Sequence, residues 1–323
     1  MRLLMSRRPH VAWPLAFGLA RFGDAPEATR PEALQAVAAL HQAARRAGQL
    51  AVEYSRLPGP ATRDVKVHDR PGWARQAALM TDALLDRLSL DPRPDGMLRR
   101  LVEVGYGLTA GVAMAALGRG LLGQYDPLSQ RLVLLAPNLV ALQRARGFDA
   151  RDFYLWVACH EQTHAVQFNS APWLLDHIVE LMAAIVADDQ DAGDIAAGLV
   201  AGRGLMSLLV SAESQEPLDR LVATMTLLEG HADLVSDAAG AHHIPTVRQL
   251  RRAFAREVAG RGWRRLLPSL DKSAQYRDGL AFCRAVVRRV GDDALAPVFE
   301  RAENLPTLPE ITRPGDWVAR IHG

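Results

Sequence analysis

Cysteine is scarce in this chain of 323 residues, since Cys159 and Cys283 are the only two and lie far apart. Two such residues build no disulfide framework, which is typical of a protein from a reducing compartment. Lysine is equally scarce, because all basic residues except Lys66 and Lys272 are arginines. That preference indicates the codon bias of a GC-rich bacterial genome. The formal net charge is only +2, which excludes a strong field for nucleic acids and other polyanions.

Long hydrophobic runs are also missing. No stretch reaches the roughly 18 consecutive apolar residues of a membrane-spanning helix. The N-terminal segment places basic residues before an apolar run, but Pro14 interrupts that run, and Arg21 and Asp24 follow without a small-residue cleavage site. We therefore predict an amphipathic first helix instead of a signal peptide. The expected protein is cytoplasmic, with no membrane or nucleic-acid partner, and its oligomeric state stays open.

Hydrophobic residues make up 49% of the chain and charged residues 23%, which suffices for a sizeable core. Strand patterns are confined to residues 65–68 and to a hairpin at 123–136, whereas helical periodicity runs through most of the remainder. The predicted helices span 29–54, 73–88, 98–122, 151–169, 173–188, 193–211, 217–239, 246–257 and 272–290, with a further helical stretch from Pro137. We predict a mainly α fold with a small β-hairpin or sheet. It forms a single domain over 1–323, with an N-terminal helical and β part at 1–150 and a helical part at 151–323.

The sequence from His160 to His164 reads H-E-x-x-H. Histidines at positions i and i+4 of a helix lie on one face, so both imidazoles can bind the same metal ion. Glu161 projects to the side of that face, where it can reach a water on the metal and act as a general base. We therefore predict a site for one Zn²⁺; the alternative is a pair of hydrogen-bonded core histidines. Cys159 points about 100° away from His160 and is predicted to be a buried apolar residue.

A catalytic zinc usually has three protein ligands and one open position. The version of the motif that continues as H-x-x-G-x-x-H is excluded, because Gln167 and Ser170 occupy the glycine and third histidine positions. The other common third ligand is a glutamate on a later helix, and Glu229 lies in an apolar helical segment where an unpaired carboxylate would be costly to bury. Asp233, four residues on, suits a carboxylate that hydrogen-bonds one ligating imidazole and fixes its tautomer.

Three other residues compete with Glu229 for the third ligand position. His177 and Glu180 lie on the next predicted helix and are also within possible reach of the histidine pair. His231 is two residues from Glu229, which places it roughly 200° around the helix and predicts that it faces elsewhere. Glu229 is the preferred ligand, with these alternatives open.

Taken together, H-E-x-x-H followed by E-x-x-x-D resembles the gluzincin class of zinc peptidases. The whole chain is similar to an actinobacterial family of zinc-dependent metalloproteases or hydrolases of unknown function, some of which carry the label "coenzyme F420 biosynthesis-associated". The matching stretches are GLLGQYDPL at 120–128, LLAPNLV at 134–140, DFYLWVACHEQTHAVQF at 152–168, APWLLDHI at 171–178, LLEGHADLVSD at 227–237, QYRDGLAFCRAVVRRVG at 275–291 and ENLPTLPEI at 303–311.

The resemblance implies a gluzincin-like architecture with two helical lobes around a metal cleft. It carries the zinc ligands over to His160, His164 and Glu229, and the general base to Glu161. One departure from the class is the spacing of 64 residues between His164 and Glu229, which leaves room for two extra helices that could cover the site.

A peptidase also needs a donor that stabilises the developing oxyanion. Tyr276 is the first candidate, with a packing role as its alternative. Tyr125, beside a turn, and His242 or His243, in a loop predicted to follow the helix at Gly240, are further candidates for which structural or solvent-exposed roles are favoured.

Two surface features have both a binding and a structural interpretation. Residues 131–136 form either a strand edge along which a peptide backbone binds or a core strand. The arginine-rich stretches at 248–256, 261–265 and 284–289 recur at helical spacing, which favours solvated helix faces over an anion-binding surface.

The sequence thus predicts a zinc-dependent metallohydrolase, a peptidase acting on a peptide or amide substrate. The competing hypotheses are a catalytically silent zinc-binding scaffold and a metal-dependent step linked to coenzyme F420 metabolism.

Overall fold

The computed structural model describes residues 26–88, 118, 120–186, 215–257 and 278–323. Several predictions fall outside these ranges: the first helix, the helix at 193–211, almost all of the helix at 98–122, the start of the helix at 272–290, the arginines at 261–265 and Tyr276.

Helices dominate the described residues. They are α1 (Arg30–Ser55), α2 (Arg70–Arg87), α3 (Ala136–Arg146), α4 (Ala150–Ser170), α5 (Trp173–Val186), α6 (Gln215–His243), α7 (Val247–Glu257), α8 (Asp278–Val290), α9 (Leu308–Thr312) and α10 (Pro314–His322), with short 3₁₀ helices at Ala296–Phe299 and Ala302–Asn304. The strands are β1 (Val65–His68), β2 (Gly123–Asp126) and β3 (Arg131–Leu135). None of these helices is long and apolar enough to cross a membrane.

Helix α1 has clear start and stop signals. Thr29 and Glu32 form a capping box, in which each side chain bonds the backbone N–H of the other residue. At the other end Arg56 adopts a left-handed conformation with φ 59°, and Pro58 follows. The small buried residues Ala44 and Ala47 let α1 lie close along α4.

The strands of the described part form one sheet in the order β1-β3-β2. Strand β3 runs parallel to β1 and antiparallel to β2, to which the turn at 127–130 joins it. Side chains alternate along β3: Leu132 and Leu134 join the core around α1 and α4, whereas Val133 and Leu135 pack on Trp73 of α2.

This strand order corrects the prediction of a strand edge at 131–136. Strand β3 is paired on both sides and buried from Leu132 to Leu135, so it is the core strand of the alternative interpretation. Among the described strands, the edge beside the H-E-x-x-H helix is β2.

Helix α4 connects two hydrophobic cores. Its N-terminal half contributes Phe153 and Trp156 to a core shared with α1, α3 and β3. Its C-terminal half contributes Val166 to a second core, which contains Phe282 of α8 and Trp317 of α10. The H-E-x-x-H segment lies where these two cores meet.

Helices α6 and α8 cross at unusually close range. A Cβ atom added at Gly230 would lie 2.2 Å from the carbonyl carbon of Gly279, and one added at Gly279 would lie 2.3 Å from the carbonyl oxygen of Thr226. Only glycine permits this approach on both sides. The crossing therefore fixes the helix turn that carries Glu229.

The prediction of a mainly α fold with a small sheet is confirmed, and the predicted hairpin forms with its turn at 127–130. A single domain over 1–323 stays a prediction. The loop predicted for His242 and His243 is wrong, because α6 continues through both residues before it ends.

Candidate metal centre

Three side chains from two helices converge at the centre of the described part. His160 and His164 come from α4 and Glu229 from α6, and one potential ligand atom of each lies within 4.8 Å of the other two. The Nε2 atom of His160 is 3.2 Å from Oε2 of Glu229, and the Nε2 atom of His164 is 3.6 Å from Oε1. The predicted convergence of these residues is therefore present in the fold.

Asp233 contacts the His160 imidazole on the Nδ1 side of the ring, and Arg251 in turn holds Asp233. The Nδ1 atom of His160 is 3.3 Å from Oδ1 of Asp233, one helical turn after Glu229. Arg251 of α7 donates to the other oxygen of Asp233 at 3.0 Å and to Asp237 at 2.8 Å, and its guanidinium lies 4.9 Å from the centre of the Trp156 ring.

These contacts determine the charges around His160. Burial raises the pKa of Asp233, but His160 and Arg251 outweigh burial and hold it well below its usual value. Burial lowers the pKa of His160, yet its hydrogen bonds to Asp233 and Glu229 raise it well above the ordinary value. The pocket thus favours positive charge between the carboxylates.

Gln167 contacts the other imidazole. The Nδ1 atom of His164 lies 2.9 Å from Oε1 of Gln167. The amide nitrogen of Gln167 donates to the carbonyl of Leu228 at 2.9 Å and lies 3.0 Å from Nδ1 of His231. Burial lowers the pKa of His231 to about 4, against a smaller opposing effect of the Ser55 backbone.

Glu161 lies between the histidines and strand β2. A Cβ at Gly123 would be 2.7 Å from Cγ of Glu161, so this strand residue leaves room for the carboxylate. Burial raises the pKa of Glu161, while the charges of His160 and His164 and a hydrogen bond from the backbone N–H of Tyr125 counteract part of the rise.

The residues present fit a zinc ion. Each imidazole has its Nδ1 atom occupied, by Asp233 or by Gln167, so both Nε2 atoms face the carboxylate of Glu229. Two imidazoles and one carboxylate are the ligand set of a catalytic zinc with an open position. Glu229 is 37% exposed, so the cluster is accessible to solvent.

Comparison with known proteins agrees with this geometry. A sequence profile of zincin-like metallopeptidases matches residues 11–318. The chain belongs to the zincin-like metallopeptidase family. This zincin-like chain is also similar to a solved structure from Chloroflexus aurantiacus, a "putative hydrolase with a novel fold". The two chains are 26% identical with a TM-score of 0.73, over 97% of this chain and 99% of the other. No curated protein matches the sequence.

Family membership implies zinc dependence and supports a metal-dependent hydrolase. The actinobacterial origin and the coenzyme F420 label that the sequence resemblance suggested stay predictions. The gluzincin-like arrangement agrees with the zincin-like family and with the mainly helical fold.

The alternative third ligands lie apart from the cluster. His231 faces Gln167 and the Phe299 ring, 5.3 Å between ring centres, as its position around α6 predicted. His177 on α5 is buried beside Trp173, and Glu180 is exposed on the same helix. Neither joins the group formed by the two histidines and Glu229.

The candidate oxyanion donors are only partly described. Tyr276 lies outside the described residues. The Tyr125 ring packs 6.0 Å from that of Phe168, and burial raises its pKa to about 12, which supports the structural role. His242 and His243 contact Tyr54 in the last turn of α6. At a rise of 1.5 Å per residue they lie roughly 20 Å along the helix from Glu229.

Three residues of this zincin-like site were missed as functional candidates. Gln167 was considered only because it excludes another form of the motif, and Gly123 only as the start of a hairpin. Arg251 lay within an arginine-rich stretch interpreted as a solvated face, yet it is 20% exposed and holds Asp233. The sequence signal available for Gln167 was a polar residue in a buried helix, one helical turn after the ligand His164.

Proposed function

We propose that this protein is a zinc-dependent peptidase in which Glu161 is the general base. His160, His164 and Glu229 hold one Zn²⁺, which when bound polarises the carbonyl group of a peptide or amide substrate. The observation that carries the proposal is the convergence of these three side chains beside a carboxylate that is not a ligand.

The remaining steps use the chain's own groups. Glu161 accepts a proton from the attacking water and passes it to the nitrogen of the leaving amine as the C–N bond breaks. Gly123 leaves the space that the carboxylate needs, and the Tyr125 N–H orients it. Asp233, held by Arg251, orients the His160 ring so that Nε2 faces the metal position.

The partial exposure of Glu229 and His160, at 37% and 20%, supports turnover over a purely structural site. A structural zinc is normally closed by four protein ligands. Among the described residues, the cluster supplies three.

The decisive experiment is a peptide-library assay combined with metal analysis of the native chain and of Glu161→Gln. We expect about one zinc per chain in both proteins and cleavage only by the native chain, with a loss of at least about hundredfold in the variant. Glu180→Gln, which removes an exposed carboxylate on α5, is the matched control and should cleave normally.

Two results would contradict the proposal. Purified native protein without stoichiometric zinc would overturn the metal site. Zinc-loaded native protein that cleaves no member of the library would instead favour the catalytically silent scaffold. The link to coenzyme F420 metabolism stays a prediction.

A further inference from the structure

We propose that Gln167 and His231 are positioning residues that hold His164 in the tautomer with its proton on Nδ1. They do so through a hydrogen-bond chain that runs from His164 through Gln167 to His231. This inference rests on the proposed zinc site, because its purpose is to direct the lone pair of the His164 Nε2 atom towards the metal.

The backbone carbonyl of Leu228 fixes the direction of the bonds in this hydrogen-bond chain. The carbonyl of Leu228 can only accept, so the atom of Gln167 that lies 2.9 Å from it must be the amide nitrogen. The amide oxygen then faces His164, and Nδ1 of His164 must donate to it across 2.9 Å. Nε2 of His164 is left with its lone pair towards Glu229, 3.6 Å away.

The same logic determines the state of His231. Its Nδ1 atom lies 3.0 Å from the amide nitrogen of Gln167, so Nδ1 accepts. In a neutral imidazole the other ring nitrogen must then carry the proton. A neutral His231 in this tautomer accepts from the Gln167 amide, whereas a ring protonated on Nδ1 cannot.

Burial makes the arrangement rigid. Gln167 is 0% exposed and His231 is 2% exposed, with the Phe299 ring against the imidazole. A buried amide or imidazole that loses its partner is strongly penalised, so rotation of either group would cost more than it gains. The hydrogen-bond chain therefore has one stable orientation.

The hydrogen-bond chain also connects the two helices that carry the proposed ligands. Gln167 lies one turn after His164 on α4, and its second partner is the carbonyl of Leu228, the residue before Glu229 on α6. Gln167 thus sets both the tautomer of one ligand and the position of the backbone beside another.

The two imidazoles have partners of different charge. The Nδ1 atom of His160 contacts the Asp233 carboxylate, whose charge Arg251 neutralises. The Nδ1 atom of His164 contacts the neutral amide of Gln167. A second carboxylate in place of Gln167 would be fully buried and would face the carbonyl of Leu228, which cannot donate to it. Neutral glutamine therefore orients His164 without adding charge.

The test compares Gln167→Met with Gln162→Met. Gln162 is the matched control because it is a buried glutamine on the same helix whose amide nitrogen also has two partners, in its case the backbone carbonyls of Ala44 and Thr62. We expect Gln167→Met to weaken zinc binding by about 10- to 100-fold, measured by competition with a chelator. Gln162→Met should lower stability comparably but change the zinc dissociation constant by less than about twofold.

Nitrogen-15 NMR of the imidazoles in the metal-free protein provides the second readout. The native protein and Gln162→Met should show His164 protonated on Nδ1, whereas Gln167→Met should show a mixture of tautomers. Unchanged zinc affinity in Gln167→Met, or an equal loss in both variants, would overturn the inference.

Variants of His231 keep the test decisive if Gln167→Met does not fold. Asparagine can present an oxygen where His231 presents Nδ1, so His231→Asn should retain the His164 tautomer. His231→Leu leaves only the Leu228 carbonyl to orient the Gln167 amide and should increase the fraction of the other His164 tautomer. The same mixture of His164 tautomers in these two variants would contradict the proposed hydrogen-bond chain. Native protein that binds no zinc but has the expected tautomer would contradict only the proposed function.

Discussion

Alanine at position 230 tests whether the crossing of α6 and α8 positions the third ligand. The added Cβ would lie 2.2 Å from the carbonyl carbon of Gly279 and 2.5 Å from its oxygen. Ordinary carbon–carbon contact needs about 3.5 Å, so the helices must separate by roughly 1.3 Å, the difference from the 2.2 Å contact. The obstructing atoms belong to the backbone, so side-chain rotation cannot relieve the clash.

The magnitude of the effect follows from two opposing contributions. Overpacking of this kind costs about 1–3 kcal/mol, and the better helix propensity of alanine returns about 1 kcal/mol. Because the clash is with backbone, we expect a net loss near the upper end, about 2 kcal/mol. Metal–ligand distances tolerate only about 0.2 Å, so a displacement of Glu229 with its helix should weaken zinc binding by at least about tenfold.

Urea unfolding of the metal-free protein and zinc titration against a chelator measure the two effects separately. Gly48→Ala is the control, since it introduces the same side chain into a buried helix where the nearest atom is the Ala61 methyl at 3.2 Å. The zinc affinity of Gly48→Ala should equal that of the native chain. If Gly230→Ala also keeps native stability and zinc affinity, the reasoning about the crossing is refuted.

Three further outcomes are expected. Gly123→Ala should displace the Glu161 carboxylate and reduce kcat/KM by about 10- to 100-fold with zinc affinity retained; unchanged kinetics would contradict this role. In urea unfolding at neutral pH, Glu310→Gln should lower the free energy of unfolding by about 1 kcal/mol. Glu300→Gln, at an exposed position, should leave it unchanged. Removal of zinc should lower the unfolding free energy by about 2.7 kcal/mol relative to protein at a hundredfold excess over Kd, and no change in thermal midpoint would argue against binding to the folded state.

The pH dependence of the Glu310 effect has a defined sign. Burial raises the pKa of Glu310, but hydrogen bonds with Arg320 and Thr307 outweigh it and hold the pKa below its usual value. Its contribution to stability is therefore present above the unfolded-state pKa of about 4.5 and lost as the pH falls through the lower folded-state value. The difference between the native chain and Glu310→Gln should shrink as the pH falls below that range, and a constant difference would be inconsistent with the shift.

The sequence by itself determined the elements whose cause is local. The spacing of His160 and His164 places both rings on one helix face, whatever the rest of the chain does. Glu229 could be chosen because a carboxylate in an apolar helix needs a partner, and its neighbour Asp233 follows at one helical turn. Helix caps such as Thr29 and the hairpin turn at 127–130 depend equally on residues close together in the chain.

Only the tertiary structure decided which distant residues support the site. A buried strand has the same apolar pattern at the centre of a sheet as at its edge, so the order β1-β3-β2 and the position of Gly123 beside Glu161 depend on packing. Arg251 has the sequence context of a solvated arginine until α7 places it against Asp233. The partners of Gln167 come from α6, whose approach is set by the Gly230 crossing, because hydrogen bonds between helices depend on helix positions that no local spacing fixes.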